Sequence, residues 1–326
     1  MSKLKKLTAM GLSVVMALGL LAGCGDSAAS ASAVASAPAE APAASQAPAA
    51  SEAPADPAAS AASAVEAGAA AGDPASYGAG VQAIIDRGVL KVGVKSDVIG
   101  FGYMDPLTNE YSGLEIELAK KLAEYLGVDV EFTTVTAATR GELLDSGDID
   151  CVLATFTITD ERKQTWDFTT PYYTDYVSVL VKDASNITTL TDLKDKTVGV
   201  SSGSTSAKAL VKAMIEDGQI SGDGFNEESF DPATWTDGIQ FKQYDDYPSI
   251  STALEANEVD AFCVDKSILA AYKTTGRSYI DAQFSPQTYG IATTKGSDFS
   301  KLCEDKVTEW LADGTIDGLI GEFNLG

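Results

Sequence analysis

Short apolar runs alternate with longer amphipathic segments from residue 79 to residue 326. The run Leu90–Val94 predicts a buried strand, and it is followed by 115–126, where Leu118, Leu122 and Leu126 share one helical face. The same alternation predicts strands at 128–132, 149–154, 177–181, 197–200, 239–244, 259–264 and 289–293, and helices at 140–146, 207–217, 249–256, 267–274 and from 299 onward. Such alternation indicates an α/β fold with two parallel-rich sheets and helices on both faces.

The pattern of strands and helices is interrupted once and then starts again, which predicts two lobes. We assign residues 79–182 and 288–326 to the first lobe and residues 183–287 to the second. The chain then crosses between the lobes twice, near 181–183 and 287–289, as a two-strand hinge. Ligands of open α/β sheets bind outside the carboxyl ends of the strands, so a cleft between the lobes is the predicted site.

Polar residues follow the predicted strands at the carboxyl ends. Lys95 follows the first strand, Thr155 and Thr157 follow 149–154, Thr205 follows a Ser-Ser-Gly-Ser turn, and Asp265 follows 259–264. A cation, several hydroxyls and a carboxylate at strand ends predict a polar cleft suited to a small zwitterion.

The first 23 residues predict a signal peptide. Three lysines and no acid precede an apolar run, Ala9–Leu21, which is too short to span a bilayer comfortably. The segment ends Leu-Ala-Gly-Cys24, which resembles the lipobox of bacterial lipoproteins. That resemblance implies cleavage before Cys24 and acylation of its sulfur. The alternative is an ordinary signal peptide with an incidental cysteine.

Residues 24–78 predict a disordered tether. Of these 55 residues, 40 are Ala, Ser or Pro, six are acidic and none is basic. No hydrophobic stripe is present, so no core can offset the entropy of ordering. An alanine-driven helical stalk is an alternative only after Pro57.

Charge and composition exclude several classes of function. The formal charge is −24, and residues 79–326 alone hold 41 acidic and 20 basic side chains, which argues against nucleic-acid binding. The chain has no histidine, which excludes Ser-His-Asp chemistry, Cys-His chemistry and His-ligated zinc. Cys151, Cys263 and Cys303 have no metal-site spacing, and we interpret them as buried small side chains.

Three stretches carry a resemblance to a known family. Gly113–Leu122 resembles the Gly-aromatic-Asp-x-Asp-x-Ala signature of the family 3 extracellular solute-binding proteins, with Leu and Glu at the aromatic and aspartate positions. Asp148–Tyr173 and Asp246–Leu269 match that family more closely. The resemblance covers 81–326, apart from a long loop at 220–238.

This resemblance implies a two-lobed periplasmic-binding-protein-like fold of type II. It implies a monomeric receptor for a polar amino acid, without enzymatic activity or cofactor, that serves the permease and ATPase subunits of an ABC importer. Together with the lipobox, it implies a lipid anchor on the extracytoplasmic face of the bacterial cell membrane. Within the family, Val92–Asp97, Thr139–Asp145 and Pro286–Gly290 look like the aspartate/glutamate receptors, so the implied ligand is glutamate or aspartate.

The resemblance also assigns roles to the ends of the ligand. Arg162 is expected to pair with the α-carboxylate, because a planar guanidinium offers two parallel hydrogen bonds. Asp265 is expected to take the α-ammonium, which needs a countercharge when it is buried. The alternatives are a surface Arg162 paired with Asp160 or Glu161, and an Asp265 that caps the next helix.

Seven further residues complete the expected site. Lys95 and Arg140 are expected to hold the side-chain carboxylate of an acidic ligand, unless both are surface charges. Thr155, Thr157 and Thr205 are expected to bind the α-groups, and Tyr247 and Tyr289 to contact the ligand. The hydroxyls are otherwise loop polarity, and the tyrosines are otherwise hinge packing.

Other functions remain open at this point. A neutral ligand such as glutamine, or less readily cystine, needs only Arg162 and Asp265. An enzyme on the same scaffold, a dehydratase, would need a positioned general acid and base. The tether would also suit an adhesin or a sensor input domain.

Overall fold

The computed structural model describes residues 72–326. The predicted signal peptide, Cys24 and most of the predicted tether lie outside the described residues. Within 72–326, the helices and strands are, in chain order, α1 (Ala79–Arg87), β1 (Val89–Val94), β2 (Asp97–Val98), β3 (Gly102–Met104), β4 (Tyr111–Ser112), α2 (Leu114–Leu126), β5 (Asp129–Thr134), α3 (Arg140–Ser146), β6 (Cys151–Leu153), α4 (Asp160–Thr165), β7 (Trp166–Phe168), β8 (Tyr173–Lys182), β9 (Lys196–Ser201), α5 (Ser206–Glu216), β10 (Ile239–Tyr244), α6 (Tyr247–Glu255), β11 (Ala261–Asp265), α7 (Lys266–Leu269), β12 (Arg277–Tyr279), β13 (Phe284–Tyr289), β14 (Ala292–Thr294), α8 (Asp298–Ala312) and α9 (Thr315–Glu322). Short 3-10 helices lie at Pro74–Tyr77, Asp183–Ser185, Thr191–Leu193 and Ala270–Tyr272.

Two mixed sheets form the two lobes. The first has the strand order β5-β1-β6-β14-β7, with β1 parallel to β5 and β6, and β14 antiparallel to β6 and β7. The second has the order β10-β9-β11-β8-β12, with β13 paired to β8. β9 is parallel to β10 and β11, whereas β8 is antiparallel to its three partners. The predicted two-lobed α/β fold is confirmed, but both sheets are mixed and not parallel-rich, because β14 and β8 run antiparallel to their neighbours.

Local sequence signals set the helix boundaries. Gly127 ends α2 in the left-handed conformation, at φ 69°, where a glycine carries no Cβ penalty. Thr159 begins α4, and its Oγ1 accepts a hydrogen bond from Arg162 N at 3.1 Å. Asp246 begins α6 and accepts from Ser249 N at 2.7 Å. These caps fix the start of the two helices that border the cleft.

The first crossing between the lobes comes earlier than the sequence analysis placed it. β8 belongs to the second sheet throughout its length, so the chain leaves the first lobe near Tyr173 and not near 181–183. The reason is that Val177, Val179 and Val181 are buried in the core of the second lobe. Tyr173 pairs with Tyr289 at the end of β13, where the chain returns, which agrees with the second expected crossing.

Other differences concern short elements. The sheet of β2, β3 and β4 was not predicted, because strands of two or three residues have no readable period. The predicted strand 289–293 is divided at Gly290 between β13 and β14. The loop 220–238 has no helix or strand, and its Phe225, Phe230 and Trp235 pack with ring centroids 5.6–5.9 Å apart.

Buried apolar side chains form the core of each lobe. β1 and α2 contribute Leu90, Val92 and Leu118 in the first lobe, and β9 and α5 contribute Val198 and Leu210 in the second. No helix within residues 72–326 is long and apolar enough to cross a membrane.

Candidate functional site

The two lobes contact each other along a cleft between the carboxyl ends of their strands. Arg162 Nη2 donates to Gly203 O at 3.1 Å, and Lys208 Nζ lies 3.2 Å from Glu161 Oε2. Tyr247 N, in the second lobe, donates to Asp97 Oδ2 in the first at 3.2 Å. These contacts join the two lobes, and the predicted strand-end residues lie around them.

The side chains of Arg140 and Arg162 both contact the ring of Phe156. The guanidinium carbon of Arg140 lies 4.0 Å from the centroid of Phe156, and that of Arg162 lies 4.6 Å from it. The ring itself packs on Trp166 and Phe168, with centroids 5.4 and 5.2 Å away. Cation–π contacts therefore hold two positive groups close together in the cleft.

Arg162 extends from the first turn of α4 toward both lobes. Its Nη1 donates to Thr157 O at 2.7 Å, while Nη2 reaches Gly203. The alternative of a surface pair is wrong, because Asp160 pairs with Lys163 and Glu161 with Lys208. Burial and the neighbouring Arg140 lower the pKa of Arg162 to about 9, so it stays charged at neutral pH.

Arg140 begins α3 and is buried. Its Nη1 donates to Ala154 O at 2.6 Å and to Thr155 O at 3.2 Å. Burial lowers its pKa, whereas Glu115 and Asp265 act in the opposite direction. The surface-charge alternative is therefore wrong for Arg140.

Lys95 is buried at the end of β1, with only 1% of its surface exposed. Its Nζ lies 3.1 Å from Asp97 Oδ1 and 4.7 Å from the centroid of the Tyr247 ring. Burial lowers the pKa of Lys95, and Asp97 partly offsets this effect. Lys95 is therefore a cleft cation that already has an acidic neighbour.

Asp265 is the last residue of β11 and forms a hydrogen bond with the end of β13, where the chain returns to the first lobe. Its Oδ2 accepts a hydrogen bond from the hydroxyl of Tyr289. It does not cap α7, since Asp175 Oδ2 accepts from Ser267 N at 3.0 Å instead. Burial raises the pKa of Asp265 to about 7, although the Tyr289 hydroxyl acts against this rise.

The three threonines occupy different positions. Thr155 and Thr157 are buried after β6, and Thr155 has a left-handed backbone with φ 44°. Thr205 is partly exposed at the start of α5, and its Oγ1 donates to Gln287 Oε1 at 2.7 Å. Thr205 thus contacts β13, the strand along which the chain returns to the first lobe.

Glu115 is a cleft residue that the sequence analysis used only as part of a motif. It is fully buried in the first turn of α2, and its Oε1 accepts from Thr155 N at 2.6 Å and from Tyr172 Oη at 2.5 Å. Burial raises its pKa to about 7 despite these hydrogen bonds. The burial of Glu115 could have been predicted from the sequence, because residues 115, 118, 122 and 126 lie on the same buried face of α2.

Buried side-chain atoms without a hydrogen-bond partner concentrate at this cleft. In the described part of the chain, they are Glu115 Oε2, Arg140 Nε, Thr155 Oγ1, Ser201 Oγ and Ser204 Oγ, together with Asp97 Oδ1, which has the ion pair with Lys95 but no hydrogen bond. All six residues lie at or next to the end of a strand or the start of a helix. Buried polar atoms are normally paired, so this set indicates that the cleft binds a small molecule with both donors and acceptors.

Residues 72–326 contain no group of three or more acidic or cysteine side chains placed to hold a metal ion. Cys151, Cys263 and Cys303 are free and buried, as expected, and burial raises the pKa of each thiol.

A cavity of about 890 Å³ lies elsewhere in the described part of the chain. It is lined by hinge residues 171–176, by Lys266 and Ser267, and by residues 323–326. None of the nine predicted site residues lines it.

Comparison with known proteins identifies the family. The model of the bacterial extracellular solute-binding proteins, family 3, matches residues 90–323. The chain belongs to this family. This confirms the family that the motifs indicated.

Three relatives are named for the amino acid that they bind. A glutamine-binding protein of Geobacillus stearothermophilus is 34% identical over 221 residues, which is 66% of this chain and 76% of that protein. The ABC transporter glutamine-binding protein GlnH of Bacillus subtilis is 31% identical over 73% of this chain and 81% of its own length. The glutamate-binding protein GluB of Corynebacterium glutamicum is 30% identical over 79% of this chain and 85% of its own.

A solved structure shows the same architecture. The ancestral amino acid-binding protein AncCDT-1, a precursor of cyclohexadienyl dehydratase, is 28% identical. The match covers 75% of this chain and 99% of that one, with a TM-score of 0.62.

Proposed function

We propose that this protein is the substrate-binding component of an ABC importer and that it captures glutamate or aspartate between its lobes. The observation that carries the proposal is the convergence of three cations on one cleft, the buried Lys95 and Arg140 and the partly buried Arg162. Its glutamate- and glutamine-binding relatives support an amino acid as the ligand.

Arg162 is the proposed partner of the α-carboxylate. A guanidinium has five N–H donors, and Thr157 O and Gly203 O use one each. The remaining donors suffice for a bidentate contact with a carboxylate. Because Gly203 lies in the other lobe, a ligand held by Arg162 is held where the lobes meet.

Asp265 is the proposed partner of the α-ammonium. Tyr289 donates to Oδ2, which leaves Oδ1 as an acceptor. A bound ammonium would favour the charged carboxylate and lower the pKa of Asp265 from about 7. The hydroxyls of Thr155, Thr157 and Thr205 are the proposed additional contacts to the α-groups.

The charges of the cleft residues support a ligand with an acidic side chain. Asp97, Glu115 and Asp265 face the three cations, but the pKa values of Glu115 and Asp265 are raised to about 7. These raised pKa values reduce the negative charge that opposes the cations near neutral pH, and a second ligand carboxylate would add to it. Lys95 and Arg140 are the proposed partners of that carboxylate, and Tyr247 is the aromatic side chain beside Lys95.

A neutral ligand such as glutamine is the second candidate. The observation that favours it is the 3.1 Å ion pair of Lys95 with Asp97, which already neutralises one of the spare cations. Two of the relatives described above are glutamine-binding proteins. The two candidates differ in the charge of the side chain and not in the α-groups.

Calorimetry of the purified protein distinguishes these candidates. The protein is unfolded and refolded to remove bound ligand, and is then titrated with glutamate, aspartate and glutamine. We expect glutamate or aspartate to bind at least tenfold more tightly than glutamine, and Lys95→Met to abolish this preference. Lys91→Met, on the same strand, is the matched control and should retain it.

Each other outcome has a clear meaning. Tighter binding of glutamine would replace the acidic ligand by the second candidate. Binding of no amino acid would overturn the receptor assignment, whereas full binding by Arg162→Ala would overturn the role of Arg162. Turnover of prephenate would instead support a dehydratase, and adhesion of the purified protein to host cells would support an adhesin.

We also propose that the mature protein is monomeric and is held on the extracytoplasmic face of the cell membrane by a lipid on Cys24. The lipobox at 21–24 and the Ala/Ser/Pro-rich composition of 24–78 support the anchor and the tether. Cells grown with labelled palmitate should label the wild-type protein but not Cys24→Ser. Equal labelling would contradict the anchor.

A further inference from the structure

Asp97 lies where Lys95 and the second lobe meet. Its Oδ1 lies 3.1 Å from Lys95 Nζ, and its Oδ2 accepts from Tyr247 N at 3.2 Å. Its backbone O accepts from Tyr272 Oη, also at 3.2 Å. Lys95 and Asp97 belong to the first lobe, whereas both tyrosines belong to the second. Asp97 thus contacts Lys95 in the cleft and also accepts hydrogen bonds from the second lobe.

We propose that Asp97 determines specificity: its charge limits the preference for acidic ligands, and its hydrogen bonds to the second lobe slow ligand release. This inference rests on the proposed function, because it concerns the ligand side chain that Lys95 would contact.

The limit on specificity follows from charge. Lys95 is buried, so its ammonium interacts with few water molecules and strongly with adjacent charges. A ligand carboxylate next to Lys95 would also lie near the Asp97 carboxylate, which repels it. A neutral amide at the same place would feel little of this repulsion. Asp97 therefore weakens the binding of an acidic ligand more than that of a neutral one.

The effect on release follows from the start of α6. Tyr247 is the first residue of this helix, and its N–H belongs to the donors that have no partner within the helix. Asp246 satisfies Ser249 N within the same lobe, but Tyr247 N is satisfied only by Asp97 of the other lobe. Opening the cleft breaks this hydrogen bond, so it contributes to the closed state alone.

Two substitutions separate charge from hydrogen bonding. Asp97→Asn removes the charge but keeps an oxygen that can accept from Tyr247 N–H. We expect it to raise the ratio of glutamate to glutamine affinity by about tenfold, with less than a threefold change for glutamine. Asp97→Ala should raise the ratio similarly and should also release both ligands faster in stopped-flow dissociation, by about fivefold or more.

Asp129→Asn is the matched control. Asp129 is exposed at the start of β5, where it pairs with Val89 at the opposite end of β1 from Lys95. The Asp129→Asn substitution removes one negative charge from the same lobe as Asp97→Asn does. Any general effect of net charge on binding therefore appears in both variants. Its affinity ratio should equal that of the wild type.

The outcomes are distinguishable. Wild-type protein that binds none of the three amino acids would overturn the proposed function, whatever Asp97 does. Wild-type binding together with equal ratios for Asp97→Asn and Asp129→Asn would overturn the specificity role. Unchanged dissociation in Asp97→Ala would overturn the closure role. If circular dichroism shows that Asp97→Asn is unfolded, Asp97→Ser provides the same test of charge.

Discussion

Thr155 N donates to Glu115 Oε1 at 2.6 Å, and this hydrogen bond holds Thr155 in a left-handed conformation with φ 44°. A β-branched residue rarely adopts this region, and such strain costs on the order of 1–3 kcal/mol. Arg140 holds the same residue from the other side through Thr155 O. A buried acid and a buried base thus jointly fix the turn that presents Thr155 and Thr157 to the cleft.

Removal of the Glu115 carboxylate should weaken ligand binding. In Glu115→Ala, Thr155 can relax to an unstrained backbone, and we expect a loss of affinity of about 10- to 100-fold by calorimetry. Glu117→Ala, two residues along α2, removes a more exposed acid paired with Lys120 and should bind as the wild type does. Wild-type affinity in Glu115→Ala would show that the turn is fixed by other contacts.

The stability of the ligand-free protein should fall as the pH rises from 5 to 7. The pKa values of Glu115 and Asp265 are raised to about 7 in the folded protein, so the folded state binds more protons than the unfolded state in this range. Each group should lower the free energy of unfolding by up to about 1.4 kcal/mol per pH unit, and the loss should end above pH 7.

Urea unfolding at several pH values measures this slope. Partly exposed acids with lowered pKa values, such as Asp192 and Asp305, are ionised in both states above pH 5 and do not contribute there. Glu115→Gln and Asp265→Asn should each flatten the curve. A wild-type curve that rises between pH 5 and 7 would contradict the raised pKa values.

Tyr289→Phe should weaken binding in a pH-dependent way. The Tyr289 hydroxyl lowers the pKa of Asp265, so its loss should leave more of Asp265 protonated at pH 7. We expect about a tenfold loss of affinity at pH 7, with partial recovery at pH 8.5, where Asp265 is again ionised. Tyr173→Phe, which loses a hinge hydroxyl bonded to Leu325 O, should show no such recovery. A pH-independent loss in Tyr289→Phe would indicate a packing role alone.

Gly203→Ala should hinder closure. Gly203 has φ 74°, and a Cβ there would lie 2.8 Å from Ala137 O and from Ala138 Cα in the other lobe. Gly88 has the same φ, but a Cβ there would meet nothing within 4 Å. Both alanine variants should lose similar stability, about 1 kcal/mol, from backbone strain. Only Gly203→Ala should lose affinity, by about tenfold or more, and equal affinities would show that the lobes tolerate the methyl group.

The regular elements of the fold were readable from local pattern. The strand 239–244 and the helix 140–146 coincide with β10 and α3, because apolar runs and helical periodicity are local properties. The first crossing was not readable, since 177–181 gives the same apolar signal in either lobe. Which sheet a strand joins depends on pairing partners distant in sequence, here β11 and β13.

Much of the site could also be predicted, and the rest depends on contacts between elements. The strand-end rule and the family resemblance led to Lys95, Arg140 and Arg162, which are all in the cleft. Phe156 was not identified, because nothing in a Thr-Phe-Thr sequence shows that one ring will contact two guanidiniums. The contact of Asp97 with Tyr247 joins residues 150 positions apart and has no sequence signal.

The contact of Phe156 with a tryptophan also links the cleft to the intrinsic fluorescence of the protein. Trp166 packs 5.4 Å from this ring, while the other two tryptophans, Trp235 and Trp310, lie in the loop 220–238 and in α8. Ligand binding that shifts either guanidinium on Phe156 changes the surroundings of one indole out of three. We therefore expect the intrinsic fluorescence of the unlabelled protein to change when a ligand binds, and substitution of Trp235 and Trp310 by Phe to isolate the signal of Trp166.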